Sequence, residues 1–194
     1  MALSKRTTTM VATAVICSDL LDLCVAGDQR AWRDLHAAYR PCAFAFLLRL
    51  GVGPREAEDA CQDIFIQVFR YLHRFERRAD FRTWLYKLCI SQAARIRRRA
   101  VLSRPLGWLR RGFADPGTLP EFSGSRSTEL VEGALATLGA RHRQVFVLFE
   151  LEELSTAEIA RLLGSPCATV RRQLQEARQK FECFVRDQPL KGCS

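Results

Sequence analysis

The sequence is poor in the residues that carry most enzyme chemistry. It has three histidines, His36, His73 and His142, and they stand isolated from one another. No nucleophile–base pair and no glycine loop able to cradle phosphate accompanies them, so the chain reads as a non-enzyme with no cofactor. Each histidine is expected to be solvated or to serve packing. No run of 18 apolar residues occurs, which excludes a helix spanning a membrane. No segment alternates apolar and polar residues as a half-buried strand does, which points to an all-α fold. Cysteine is present eight times, but without a CxxC pair or any paired His/Cys spacing, from Cys17 to Cys193. That scatter speaks against a zinc site and favours free thiols in a reducing cytoplasm. Cys61 falls on an apolar helical face, where a reduced cysteine acts as a small hydrophobe, and Cys89 is expected to do the same.

What the chain does have is positive charge in one place. The formal net charge is +9, and between Arg70 and Arg111 thirteen Lys/Arg face only two acids, Glu76 and Asp80. The remainder is therefore slightly acidic. A basic zone of this kind suits a polyanionic partner.

The pattern along the chain divides it. Residues 1–17 read as an N-terminal tail that faintly imitates a secretion signal, with Lys5 and Arg6 ahead of a short, threonine-interrupted apolar run. Helical periodicity runs from Ser18 to Arg49, with a break expected at Arg40-Pro41. Pro54 opens another helix to about His73, whose core stripe is Ala57, Cys61, Ile64, Val68 and Tyr71 or Leu72. Glu58, Asp59, Gln62, Asp63 and Gln67 share a different face of it. A loop over 75–80 precedes a helix from Thr83 to about Arg99, completing a first module over residues 18–100. Prolines, glycines and serines without period fill 101–127, which reads as a linker. A second helical module follows over 128–187, and 188–194 form a polar tail.

That second module ends in "STAEIARLLGSPCATVRRQLQEAR", Ser155 to Arg178. Ser155 and Glu158 form a capping box, and Gly164 stands where a helix would end. Ser165 and Pro166 have the residue types that start the next one. Val170, Leu174, Ala177 and Phe181 make the buried stripe of that helix. Arg172, Gln175 and Gln179 point the opposite way, with Arg171 and Arg178 on the flank, so Thr169, Arg171, Arg172, Gln175 and Glu176 are left to face outward. Two helices on so short a turn can form a helix-turn-helix, whose second helix enters a major groove. An ordinary helical hairpin with solvated arginines would show the same pattern.

The most distinctive segment is "FRTWLYKLCISQAARIRRR", Phe81 to Arg99, aromatic and apolar at first and then densely basic. Rings beside cations suit single-stranded nucleic acid, with bases stacked and phosphates neutralised. Leu85 and Leu88 are expected in the core, while Trp84 fits either role.

Taken in order and spacing, "AEDACQDIFIQVF" (Ala57 to Phe69), "FRTWLYKLCISQ" (Phe81 to Gln92) and the capped helix pair resemble bacterial sigma factors of the extracytoplasmic-function (ECF) class. The resemblance covers about Ser18 to Val185. It implies two helical domains on a flexible linker, and a promoter-specificity subunit without catalytic activity. Asp59, Gln62 and Asp63 would dock on the clamp helices of the β′ subunit of core RNA polymerase. Phe75, Arg77, Arg78, Phe81, Trp84, Lys87, Ser91, Arg95 and Arg98 would read and open the promoter −10 element. Ala168, Thr169, Arg171, Arg172, Gln175 and Glu176 would read the −35 element. It also implies an anti-sigma factor, often membrane-anchored, that holds the chain inactive. Three places depart from the family's habit. Ser91 stands where an asparagine is frequent and is too short to make the base contacts of that amide. Ala168 stands where a glycine is frequent and should remain helical. Arg172-Gln173 stands where a serine-arginine pair is frequent, so the −35 preference should be unusual. A free-standing helix-turn-helix regulator and a cysteine-based sensor are the competing readings, distinguished by polymerase dependence and by bound metal or a reversible disulfide.

Overall fold

Caps and tertiary packing, more than apolar periodicity, decide where the helices of this chain begin and end. The computed structural model describes residues 18–76, 80–102 and 126–187. Among these there is no strand, and the all-α expectation holds as eight α-helices in two modules. The first module holds α1 (Ser18–Val25), α2 (Gln29–Arg49), α3 (Pro54–Tyr71), one 3-10 turn (Leu72–Arg74) and α4 (Phe81–Leu102). The second holds α5 (Arg126–Thr137), α6 (Ala140–Phe146), a π turn (Val147–Leu151), α7 (Thr156–Leu163) and α8 (Cys167–Asp187).

The break expected at Pro41 lies instead before Asp28. The Asp28 carboxylate accepts from the N–H groups of Arg30 (2.7 Å) and Ala31 (3.0 Å), and those two bonds hold its pKa below the usual carboxylate range. Helix α2 then runs straight through Pro41. An interior proline costs about 3 kcal/mol. Here Leu35 before it and Ala43, Phe46 and Leu47 after it are all buried on one core. At about 1.5–3 kcal/mol for each large side chain, that burial outweighs the lost N–H bond.

Helices α2, α3 and α4 pack on one another around Phe46, Ile64, Val68, Leu85, Tyr86 and Cys89. The stripe of α3 is buried as expected, closed by Leu72 rather than by Tyr71, which is exposed. Leu85 is fully buried, whereas Leu88 only leans against the core. In the second module α5, α6 and α7 pack against α8, where Val170, Leu174 and Ala177 are buried and Phe181 stacks on Phe146 at 4.7 Å.

The Ser155–Glu158 capping box is formed in full, and Gly164 ends α7 in the left-handed conformation (φ +60°) that glycine adopts without steric cost. The start of α8 differs in detail from expectation. The Ser165 hydroxyl donates back to the Leu163 carbonyl (3.5 Å), and the carbonyl of Pro166 accepts the N–H of Val170 (3.1 Å). The loop before α4 is described only in part, and the 101–127 segment lies largely outside the described residues.

Two outcomes follow for measurement. Ser155→Ala removes a cap worth about 1 kcal/mol, read as a lower melting temperature. The Ser155 hydroxyl and N–H lower the Glu158 pKa, so their contribution is present above the unfolded glutamate pKa and lost as pH falls through the folded one. The variant should therefore lose less stability on acidification than the wild type. Burial pushes the Cys61 thiol up to about 11 and the Cys89 thiol still higher, whereas Cys167 and Cys183 are exposed. A thiol reagent at pH 8 should modify Cys167 and Cys183 in the folded chain and reach Cys61 and Cys89 only after denaturation.

Candidate polymerase and nucleic-acid interfaces

Three surfaces follow from how these helices use their faces. On α3 the buried stripe of Ala57, Ala60, Cys61, Ile64 and Val68 leaves Asp59, Gln62 and Asp63 on the water side, all three exposed. Glu58 is different: its carboxylate is bonded by Arg40 and so belongs to the fold. The same outer face continues one turn on into apolar residues. At 100° per residue Ile66 lies beside Asp59 and Asp63, with Phe69 next to Gln62. Ile66 is 50% exposed and Phe69 63% exposed. Sequence reasoning missed these two because it sought the buried stripe and treated the rest of the helix as polar. The signal was available in two large apolar residues standing off that stripe.

On α4, Trp84, Lys87, Ser91, Arg95 and Arg98 fall within one sector of the helix, at spacings of three, four, four and three. They form a stripe about 21 Å long at 1.5 Å per residue. Lys87, Ser91, Arg95 and Arg98 are exposed and Trp84 is half-buried. The aromatic end of the stripe is built as a cluster. The Trp84 ring lies 5.4 Å from Phe75 and 5.7 Å from Phe81, and Phe81 meets Tyr39 edge-on at 4.8 Å. Phe81 is only 3% exposed. It therefore supports Trp84 and Phe75 from beneath. Arg77 and Arg78 lie outside the described residues. The acidic and basic faces meet where Arg95 Nη1 comes within 4.0 Å of Asp63.

On α8 the buried stripe turns Ala168, Arg171, Arg172 and Gln175 to solvent, with Thr169 and Glu176 half-buried at the margin. Glu176 is held from two sides. His142 Nε2 lies 2.8 Å from its carboxylate and Arg172 Nη1 3.4 Å, and the His142 bond first of all lowers the Glu176 pKa. The histidine that looked isolated in sequence thus positions a residue of the exposed face. Arg178 is drawn off that face, since it bonds Glu150 at 2.6 Å and lies over the Phe149 ring.

The three surfaces are a mixed acidic and apolar face on α3, an aromatic-basic stripe on α4 and a polar face on α8. Comparison with known proteins matches both modules that carry them. The family model for sigma-70 region 2 matches residues 35–101, and that for sigma-70 region 4 matches residues 128–181. The ECF RNA polymerase sigma factor SigW of Bacillus subtilis is 29% identical over 174 residues, covering 83% of this chain and 92% of its own. The ECF sigma-E factor of Escherichia coli is likewise 29% identical, covering 84% of this chain and 90% of its own. Among solved structures, CnrH in complex with the cytosolic domain of CnrY shares the fold at 23% identity, with a TM-score of 0.63 over 88% of this chain and 97% of that one. RpoE of Bartonella quintana, solved with the anti-sigma factor NepR, shares it at 19% identity, with a TM-score of 0.65 over 80% of this chain and 96% of that one. With both family regions in order on the two modules that carry these faces, the chain belongs to the ECF sigma factors of the sigma-70 family.

Proposed function

We propose that this sigma factor docks on core RNA polymerase through α3, reads and opens the −10 element with α4, and reads the −35 element with α8. Residues 18–100 serve the first two tasks, 101–127 connect, and 128–187 serve the third. The observation that carries this reading is the division of one small module into two unlike faces. A protein that only bound DNA would have no use for exposed carboxylates one helix away from its arginines. Asp59, Gln62 and Asp63 are the polar part of the polymerase contact, against the β′ clamp helices, and Ile66 adds an apolar anchor beside them. Trp84 and Phe75 supply stacking surface for an unpaired base, and Lys87, Arg95 and Arg98 hold the phosphates that follow. Ser91 sits mid-stripe, where its short hydroxyl reaches less far than an amide would. Arg77 and Arg78, which precede α4 in the sequence, are further candidates for phosphate contact. On the recognition helix Arg171, Arg172 and Gln175 face the groove, with Ala168 and Thr169 at its N-terminal end and Glu176 orienting Arg172.

Control by an anti-sigma factor belongs to the same reading. It is supported by the shared fold with RpoE, which was solved in such a complex. A partner of that kind anchored in the inner membrane would hold this chain at its cytoplasmic side. Among the described residues no helix is long and apolar enough to cross a membrane itself.

A core-polymerase pull-down and transcription series on promoter variants test the assignments. Asp59→Lys combined with Asp63→Asn should abolish core binding with helicity unchanged, because exposed substitutions rarely cost much stability. Retained core binding would overturn the role of α3. Arg172→Ala should leave core binding intact and cost about 1–3 kcal/mol at a single −35 position. Replacing Arg95 and Arg98 with alanine should weaken promoter binding almost uniformly across sequences and reduce the salt slope by about one unit per lost phosphate contact. A changed base preference at constant slope would instead make them specificity residues.

A further inference from the structure

Glu152 is the one buried acid among the described residues, 7% exposed at the end of the π turn. Both bonds of its carboxylate cross to the other module. Arg49 Nη1 donates to one oxygen at 2.7 Å, and the Tyr86 hydroxyl donates to the other. Arg82 Nη2 reaches the Glu152 carbonyl at 3.4 Å, and its guanidinium lies over the Tyr86 ring. Burial, and then the Glu152 charge, keep the Tyr86 phenol protonated far above its ordinary range, so it stays a donor. The second module invests local geometry in this presentation. The N–H of Glu152 closes the widened turn onto the Val147 carbonyl (3.0 Å), and Glu153 takes a positive φ of 57°, uncommon outside glycine. A second contact matches it: Arg143 lies against Gly51 so closely that a Cβ there would collide with its guanidinium.

The same closure sets α7 against the −10 face. Phe75, Trp84 and Lys87 line one wall of a cleft of about 680 Å³, and Glu158, Arg161 and Leu162 line the other. We propose that Glu152 is an interdomain latch, which closes the second module over the aromatic end of the α4 stripe and keeps the free sigma factor from engaging melted DNA. An unpaired strand on Trp84 and Lys87 has to occupy the space that α7 borders. The latch also carries its own counterweight. Arg97 Nη1 is buried without a hydrogen-bond partner, and Arg143, its pKa lowered by burial and by the charge of Arg97, is held close to that like charge. The closed form is thus held by a bond that water can replace, and strained by a repulsion that opening relieves.

Small-angle scattering on the free, full chain reads the latch directly. Glu152→Ala, and separately Arg49→Ala with Tyr86→Phe, should each raise the radius of gyration above that of the wild type with helicity unchanged. The second variant leaves the second module untouched, so it carries the test if Glu152→Ala misfolds. In titrations of a fluorescent single-stranded −10 oligonucleotide the latch variants should bind with an apparent Kd lowered by roughly three- to tenfold, the factor expected if only a tenth to a third of the wild type is open. An unchanged radius overturns the latch, and a larger radius with unchanged oligonucleotide affinity overturns its gating role. The gating rests on the sigma-factor reading of α4. If wild type and variants alike fail to bind the oligonucleotide, that reading fails, while the scattering still decides the latch.

Discussion

An α-helix satisfies its own main chain, and the rest of this molecule depends on that constraint. With no sheet among the described residues to set register, each helix is oriented by which of its faces is apolar. What remains outside the apolar stripe is then free to serve partners. The effect is clearest on α3, where Ala57, Cys61, Ile64 and Val68 are fully or almost fully buried, and Asp59, Gln62 and Asp63 are exposed as a consequence. Burying the stripe of α4 in the same core turns Trp84, Lys87, Ser91, Arg95 and Arg98 outward by the same logic. Because both helices pack on α2 and on each other, their outer faces are held at a fixed relation, meeting at Asp63 and Arg95. One small core therefore positions two chemically opposed surfaces.

Much of this is legible from sequence because it depends on local spacing. The stripes of α3 and α8, the capping box at Ser155 and the turn at Gly164 are statements about residues three or four apart, and the folded chain keeps them. The misreadings come where a distant partner decides. Pro41 carries the residue type that ends helices, but Leu35, Ala43 and Phe46 lie on the same core on either side of it, and burial prevails. His142 and Glu176 stand 34 residues apart, so nothing in their local sequence pairs them.

The run of acids from within the π turn to the loop before α7 shows the limit most plainly. Glu150, Glu152 and Glu153 are almost adjacent and chemically alike. Folding sends Glu150 to Arg178 and Glu152 to Arg49, a partner 103 residues away, and puts Glu153 at a positive φ. Periodicity cannot separate them, because their roles are set by the surface each meets across the fold. Ile66 and Phe69 make the converse case. Local spacing did mark them as outside the stripe, and their exposure is informative only because the residues beside them are charged.

The chemistry at the module boundary differs from that inside the modules for a physical reason. Within each module the core contacts are apolar, and separating them would expose Leu85, Val170 or Ile159 to water at about 25 cal/mol per Å² of apolar surface. At Glu152 the contact is an ion pair with a phenol. Apolar residues of similar volume are often as stabilising as a buried ion pair, or more so. A boundary built that way would close more firmly, yet opening it would leave a large apolar patch with no compensating hydration. A carboxylate and a guanidinium exchange each other for water on opening, which reduces the cost of separation. They also fix the closed geometry, since Arg49 and Tyr86 each address a different oxygen. With Arg97 left unsatisfied beside Arg143, the balance between closed and open arrangements stays small enough for a binding partner to shift it.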